Sequence, residues 1–261
     1  MALDDVEGGQ GPAAWLRRWW RALLAEVVAT LLLVLLGVAS LIKLKPEQDV
    51  PLTNPALAFG FVVLMNIQAF GATSGAHMNP AVTLAAVLYG DMALATAAGY
   101  VAAQLAGALL GFGALYALLP AAALRGHAGC TWPAAVTPLA AAAVEAALTG
   151  LLALLCCGLW RQHDPARPDH TAPIKFGLGV AGLVYAGGEL SGASLNPARS
   201  LAPAIFHNFW QDHWVYWLGP LGGAALGTLL HRYVIAPPVA ATRADGNGVP
   251  ERLPLQDKTA V

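Results

Sequence analysis

The sequence is short of charge. Only 11% of its 261 residues are Asp, Glu, Lys or Arg, against 57% hydrophobic, whereas soluble domains carry about 25% charged residues. No charge occurs between Asp49 and Asp91, or between Asp91 and Arg125. Such stretches exceed the ~20 residues with which a helix crosses a ~30 Å hydrocarbon core, so a soluble globular protein is excluded. There is no basic tract suited to nucleic acid, and the net charge of −1 points to no partner. Cysteine is scarce: Cys130, Cys156 and Cys157 have a spacing that suits neither a metal site nor a disulfide framework. Cys156 and Cys157 read as small apolar helix residues. No metal and no cofactor are expected, and no nucleophile–base pair suggests an enzyme. The first 14 residues are acidic and Gly-rich and lack the basic start and apolar core of a cleaved signal peptide. The first apolar segment is therefore expected to be a retained span.

Apolar segments fall at roughly 22–42, 55–73, 93–119, 138–160, 173–190 and 214–235, which predicts six membrane-crossing helices. Two further apolar pieces, 79–88 and 196–206, are too short to cross. The plan is span, span, short helix, span, and then the same again. Three spans per half is an odd number, so the second half enters the membrane from the opposite side. The halves are then inverted repeats, about 22–120 and 138–235, related by a pseudo-two-fold axis in the membrane plane. The expected fold is an all-α membrane protein with six transmembrane helices and two re-entrant half-helices. The expected layout is an N-terminal tail at 1–21, a core domain at 22–235 and a C-terminal tail at 236–261. Arg17, Arg18 and Arg21 precede the first span, Arg161 and Arg167 lie between the fourth and fifth, and Arg232 ends the sixth. The other side has Lys43, Lys45 and Arg125. This bias favours both termini in the cytoplasm. The last residues, Thr259-Ala260-Val261, form a weak candidate ligand for a PDZ-type carboxylate groove.

The repeat is also written in residues. Positions 74–81 read Ser-Gly-Ala-His-Met-Asn-Pro-Ala and 191–198 read Ser-Gly-Ala-Ser-Leu-Asn-Pro-Ala, 117 residues apart. A Phe-Gly pair begins 20 residues before each Asn, at Phe59 and at Phe176. Asn is a strong N-cap and Pro is favoured at the first helical position, so Asn79-Pro80-Ala81 and Asn196-Pro197-Ala198 each start a helix. The preceding Ser-Gly-Ala supplies irregular backbone. At membrane depth such backbone survives only inside protein or beside a wet cavity. Two helix N-termini, each carrying roughly half a positive charge, then face one point near the midplane. That point repels cations and offers Asn amide donors to a neutral oxygen-bearing solute. Arg199, one turn into the second short helix, adds five donors and a positive charge. Gly107 and Gly111, and Gly223 and Gly227, are small-xxx-small pairs 116 residues apart that let helices approach closely.

These motifs identify the chain as similar to the major intrinsic protein family of aquaporins and aquaglyceroporins. The likeness runs from about residue 22 to 235 and rests on Ser-Gly-Ala-His-Met-Asn-Pro-Ala-Val-Thr at 74–83 and Asn-Pro-Ala-Arg-Ser at 196–200. It implies a passive channel in the lipid bilayer, assembled as a homotetramer with one pore per subunit, in the plasma membrane. Glu26 and Glu145 stand where the family keeps one buried Glu per half. Each is read as an acceptor for its irregular loop, with proton relay the alternative. His77 is read as a satisfied, loop-supporting histidine, with pH sensing the alternative. Glu189 is expected to face the interface.

The resemblance also locates a four-residue selectivity filter by counting from the motifs: Phe59, Val184, Ala193 and Arg199. Water-selective members usually carry His at the position of Val184. Val is smaller and apolar, so a carbon backbone can slide along it while hydroxyls bond Arg199. Ser200, Ala204, Tyr216 and Trp217 instead match water channels. The hybrid resembles the glycerol-permeable channels of insects, and the expected permeants are water, glycerol and urea, with protons and ions excluded. A strictly water-selective aquaporin is the alternative within the family. Outside it, the alternatives are an ion-coupled transporter using Glu26 and Glu145, and an adhesion or scaffolding protein with an inactive pore.

Overall fold

A computed structural model describes residues 11–236 except 46, 48 and 165, so the C-terminal Thr-Ala-Val lies outside the described residues. The described residues are helical and loop only. Six long helices are α1 (Pro12–Ala39), α2 (Thr53–Ser74), α4 (Leu94–Leu118), α5 (Pro138–Gln162), α6 (Ala172–Ser191) and α8 (Val215–Leu230), the last extended by a π-helical turn at His231–Ile235. Two short ones are α3 (Pro80–Tyr89) and α7 (Pro197–His207). Each short helix follows its Asn-Pro, with Asn79 or Asn196 in extended conformation as N-cap and Pro in the first turn. Hydropathy located the spans but not the start of α1. That helix begins at Pro12, so it runs back through residues 12–21 of the expected tail. Those ten residues are good helix formers whose arginines and tryptophans end the apolar run without breaking the helix.

The packing follows the predicted two-fold design. The most extensive contacts pair α5 with α8 and α1 with α4, and α2 packs against α6. Glycines permit each close approach. A Cβ on Gly107 would lie 2.3 Å from the carbonyl oxygen of Val27, and one on Gly111 2.4 Å from that of Leu31. Their counterparts Gly223 and Gly227 lie equally tightly on the carbonyls of Ala146 and Gly150, at 2.1 and 2.4 Å. Where α2 meets α6, Gly60 and Gly177 press on each other's carbonyl oxygens. Lipid is as apolar as leucine, so such van der Waals contact between small residues is what holds transmembrane helices together.

The polarity is inverted relative to a soluble domain. Leu118, Leu139 and Leu226 are 76%, 76% and 70% exposed, whereas Glu26 and Glu145 are completely buried. Outward leucines and inward carboxylates fit a hydrocarbon surround and a polar interior.

The glycine contacts make a testable statement. Gly223→Ala forces α8 away from α5 and costs about 1–3 kcal/mol. Gly222→Ala, where an added Cβ meets nothing within 4 Å, does not lower stability and gains the better helix propensity of Ala, up to about 1 kcal/mol. Thermal unfolding of the two variants in detergent checks this, and equal midpoints would contradict it.

Candidate functional site

The site is built on two irregular loops, each tied to one buried carboxylate. In the first half Glu26 Oε1 accepts from Ser74 Oγ (2.7 Å) and His77 N (2.8 Å), and Oε2 accepts from Met78 N (2.8 Å) and Gln104 Nε2 (2.8 Å). In the second, Glu145 Oε1 accepts from Ser191 Oγ (2.8 Å) and Ser194 N (2.9 Å), and Oε2 from Leu195 N (2.8 Å). Tyr100 Oη donates to Ser74 O at 3.0 Å and Tyr216 Oη to Ser191 O at 2.7 Å. The loops need this support. Ala76, Met78, Ala193 and Leu195 all have left-handed backbones, with φ of 50°, 54°, 43° and 55°. Each such residue costs on the order of 1–3 kcal/mol unless its surroundings fix it. Hydrogen bonds worth about 0.5–3 kcal/mol each to a buried carboxylate offset that strain. Glu26 and Glu145 are thus fully engaged as acceptors of loop donors.

The loops meet through a reciprocal pair of bonds. Asn79 Nδ2 donates to Leu195 O and Asn196 Nδ2 donates to Met78 O, both at 2.8 Å. Each Asn Oδ1 meanwhile caps its own helix, accepting from Ala81 N at 2.8 Å, and from Ala198 N and Arg199 N at 3.0 and 3.3 Å. An amide nitrogen has two hydrogens, so one on each Asn is left for the cavity that both residues line. Pro80, Ala81, Pro197 and Ala198 are buried behind the Asn residues in the first turns of α3 and α7.

Two cavities run away from this region. The inner one, about 90 Å³, reaches from the Asn pair past His77 to Trp160 and Phe176, near the end of α5 and the start of α6. The outer one, about 200 Å³, opens on the opposite side between Trp132, Glu189 and Leu41. Four residues line both: Phe59, Val184, Ala193 and Arg199. They come from α2, α6, the second loop and α7, and they meet where the two cavities join. Arg199 is 3% exposed. Its Nη1 donates to Gly129 O at 2.7 Å and its guanidinium carbon lies 5.5 Å from the centre of the Phe59 ring. Among the described residues no carboxylate lies within ion-pair distance of it. One wall of the junction is therefore a positively charged donor and the facing wall is apolar.

Comparison with known proteins decides the family. The family model described as "Major intrinsic protein" matches residues 15–231. The chain belongs to the major intrinsic protein family. It is 41% identical over 221 residues to the lens fiber major intrinsic protein of Gallus gallus, covering 84% of this chain and 83% of that one. It is 40% identical over 220 residues to human aquaporin-2, covering 84% and 80%. Against aquaporin-4 of Mus musculus the identity is 36% over 235 residues, covering 88% and 72%. The X-ray structure of the aquaglyceroporin from Plasmodium falciparum superposes with a TM-score of 0.73 at 23% identity, covering 84% of this chain and 98% of that one, and so shares its fold. Members of the major intrinsic protein family are passive membrane channels and not enzymes.

Within this family frame, several lining residues were invisible to sequence reasoning. Glu189, expected to face the interface, is exposed near the end of α6 and also lines the outer cavity. Cys130 lines it too, with its thiol pushed up to about 11 by burial, an effect that nearby Arg199 partly opposes. Cys156 and Trp160 line the inner cavity. The Arg199 anchor Gly129 sits in a loop with three left-handed residues, Gly126, His127 and Gly129. Clustered glycines at 126 and 129 were the signal for that loop, but nothing in the sequence said where it would fold. Tyr185 does not line either cavity and is 44% exposed.

The loop bonding separates scaffold from relay. Glu145→Gln turns an NH₂ towards backbone donors and costs about 1–3 kcal/mol in thermal unfolding. A relay carboxylate gives the opposite pattern: full stability, with solute flux that depends on an imposed proton gradient.

Proposed function

We propose that this channel passes water and small neutral solutes, glycerol and urea among them, and excludes protons and ions. The observation that carries the reading is Val184 at the junction of the two cavities, in one apolar cluster with Phe59 and Ala193, where Arg199 also lines the walls. Asn79-Pro80-Ala81 and Asn196-Pro197-Ala198 serve as the paired pore motifs, and Phe59, Val184, Ala193 and Arg199 as the filter. A hydroxylated or amide solute bonds the free hydrogens of the Arg199 guanidinium with its polar edge. Its carbon side lies on Val184 and Phe59, which need no hydrogen bond. Val184 leaves more room than the histidine of water-selective relatives, and Ala193 adds none of the bulk of a larger side chain. Cations meet a buried Arg199 and two helix N-termini, and a low-dielectric surround strengthens that repulsion. Glu26, Glu145 and His77 hold the loops in place for this task.

A strictly water-selective pore is the second reading. It is favoured by Tyr216 and Trp217 in α8, by Ser200 and Ala204 in α7, and by relatives named aquaporin-2 and aquaporin-4. The proposal further includes a homotetramer in the plasma membrane, both termini in the cytoplasm, and a weak PDZ-type ligand at Thr259-Ala260-Val261.

Stopped-flow light scattering on proteoliposomes tests the permeant range. Wild-type vesicles shrink quickly in a glycerol or urea gradient and then reswell as solute enters. Val184→His keeps water flux and lowers glycerol flux several-fold. Shrinkage without reswelling in the wild type would favour the water-selective reading. Unchanged glycerol flux in Val184→His would remove Val184 from the filter. No flux of any solute would revive the scaffold alternative.

A further inference from the structure

The first loop holds a directed chain of hydrogen bonds that ends on a ring facing the inner cavity. It starts at Glu26. The carboxylate oxygen Oε2 already accepts from Met78 N, so the group of Gln104 that faces it at 2.8 Å is the amide nitrogen, a donor. This fixes which way the Gln104 amide points. The second hydrogen of Gln104 Nε2 goes to Thr83 Oγ1 at 2.9 Å. Gln104 is completely buried and its Oε1 has no hydrogen-bond partner among the described residues. Turning the amide over would put its oxygen against the carboxylate and lose the bond to Glu26.

Thr83 is 1% exposed and has two contacts of this kind, the Gln104 amide and His77 Nδ1 at 3.2 Å. Its oxygen is already an acceptor for Gln104. Its one hydrogen finds no other acceptor among the described residues, so it goes to His77 Nδ1. A ring nitrogen that accepts carries no proton, and in neutral imidazole the proton then sits on Nε2. The ring is held between Tyr100 and Trp160, with centroids 5.3 and 6.0 Å away. Its Nδ1 edge faces the buried Thr83. Its Cδ2–Nε2 edge lies over Gly75, which lines the inner cavity as His77 itself does.

We propose that Gln104, acting through Thr83, is a positioning residue that locks His77 as the Nε2–H tautomer, so that the inner mouth of the pore presents a fixed hydrogen-bond donor to the permeating solute. A fixed donor orients a passing water with its oxygen towards the wall. That adds to the preference for neutral oxygen-bearing solutes at a level of the path separate from the Asn pair. The inference rests on the inner cavity being part of the permeation path.

The second half carries the same chain without the ring. Thr131 Oγ1 donates to Ser200 Oγ at 2.9 Å, Ser200 and Ser194 hydroxyls lie 2.5 Å apart, and Ser194 Oγ donates to Asn196 O at 3.0 Å. Ser200 and Ser194 are the repeat equivalents of Thr83 and His77, each 117 residues on. Here the chain ends on its own loop's carbonyl, so it delivers no ring donor to the outer cavity.

Solid-state ¹⁵N NMR of histidine-labelled protein in proteoliposomes tests the assignment. The pH is held at about 8, above the usual histidine range near 6.5, and the His77 signals are identified by their loss in His77→Asn. The expected wild-type spectrum has a protonated Nε2 and a bare Nδ1 as one population. Thr83→Val and Gln104→Leu split it into two tautomers, and Thr83→Ser restores one. A protonated Nδ1 in the wild type would overturn the proposal, as would an undivided Nε2–H signal in Thr83→Val. The tautomer is read without any flux measurement, so a chain that holds its ring as described but passes no solute would refute the channel reading alone.

Discussion

The structure depends on a pair of hydrogen bonds that cross the molecule's pseudo-two-fold axis. Asn79 donates to the carbonyl of Leu195, and Asn196 to that of Met78. Each bond is worth only about 0.5–1.5 kcal/mol net, yet together they fix where two short helices end. Each Asn caps its own helix with one atom and clasps the opposite loop with another. The two positive helix ends are thereby held against one another, an arrangement that is unfavourable unless something else maintains it. The buried carboxylates maintain it. Glu26 and Glu145 each gather the backbone N–H groups of one left-handed loop, and the glycine contacts of α1 with α4 and α5 with α8 bring those carboxylates within reach.

This arrangement explains why polar groups lie inside and leucines outside. A spanning helix satisfies its own backbone, but the two loops cannot, and at membrane depth an unpaired N–H costs several kcal/mol. Side chains buried near the loops serve that need directly, as Glu26, Glu145, Asn79 and Asn196 do, or brace it, as Gln104 does by bonding Glu26 and Asn66 by bonding Met78 Sδ. Arg199 is the exception. It is buried, its Nη1 bonds a carbonyl, and no acid lies within ion-pair distance of it among the described residues. Its charge therefore stands without an acid partner where the two cavities join, and the proposed exclusion of cations rests on that arrangement.

Much of this was legible in the sequence. The six spans follow from apolar runs, the half-helices from Asn-Pro after Ser-Gly-Ala, and the inversion from an odd number of spans. The resemblance to the family named the four residues that line both cavities, by their distances from the motifs. What escaped depends on loop path and hydrogen-bond direction. Gly129 reaches Arg199 through a loop bent by three left-handed residues. Gln104 belongs to no motif, and its partners lie 78 and 21 residues away. The start of α1 was hidden since a helix can outrun the hydrocarbon core without any change in backbone.

The central claim is that two clasped helix ends and Arg199 oppose cations on a path open to neutral solutes. The direct measurement is proton conductance alongside osmotic water flux in the same proteoliposomes, read with an entrapped pH dye under an imposed potential. The account predicts fast water flux with no proton conductance above protein-free vesicles, and a measurable conductance once Asn79→Asp and Asn196→Asp place carboxylates at the clasp. Proton conductance that rises with water flux in the wild-type protein would contradict it.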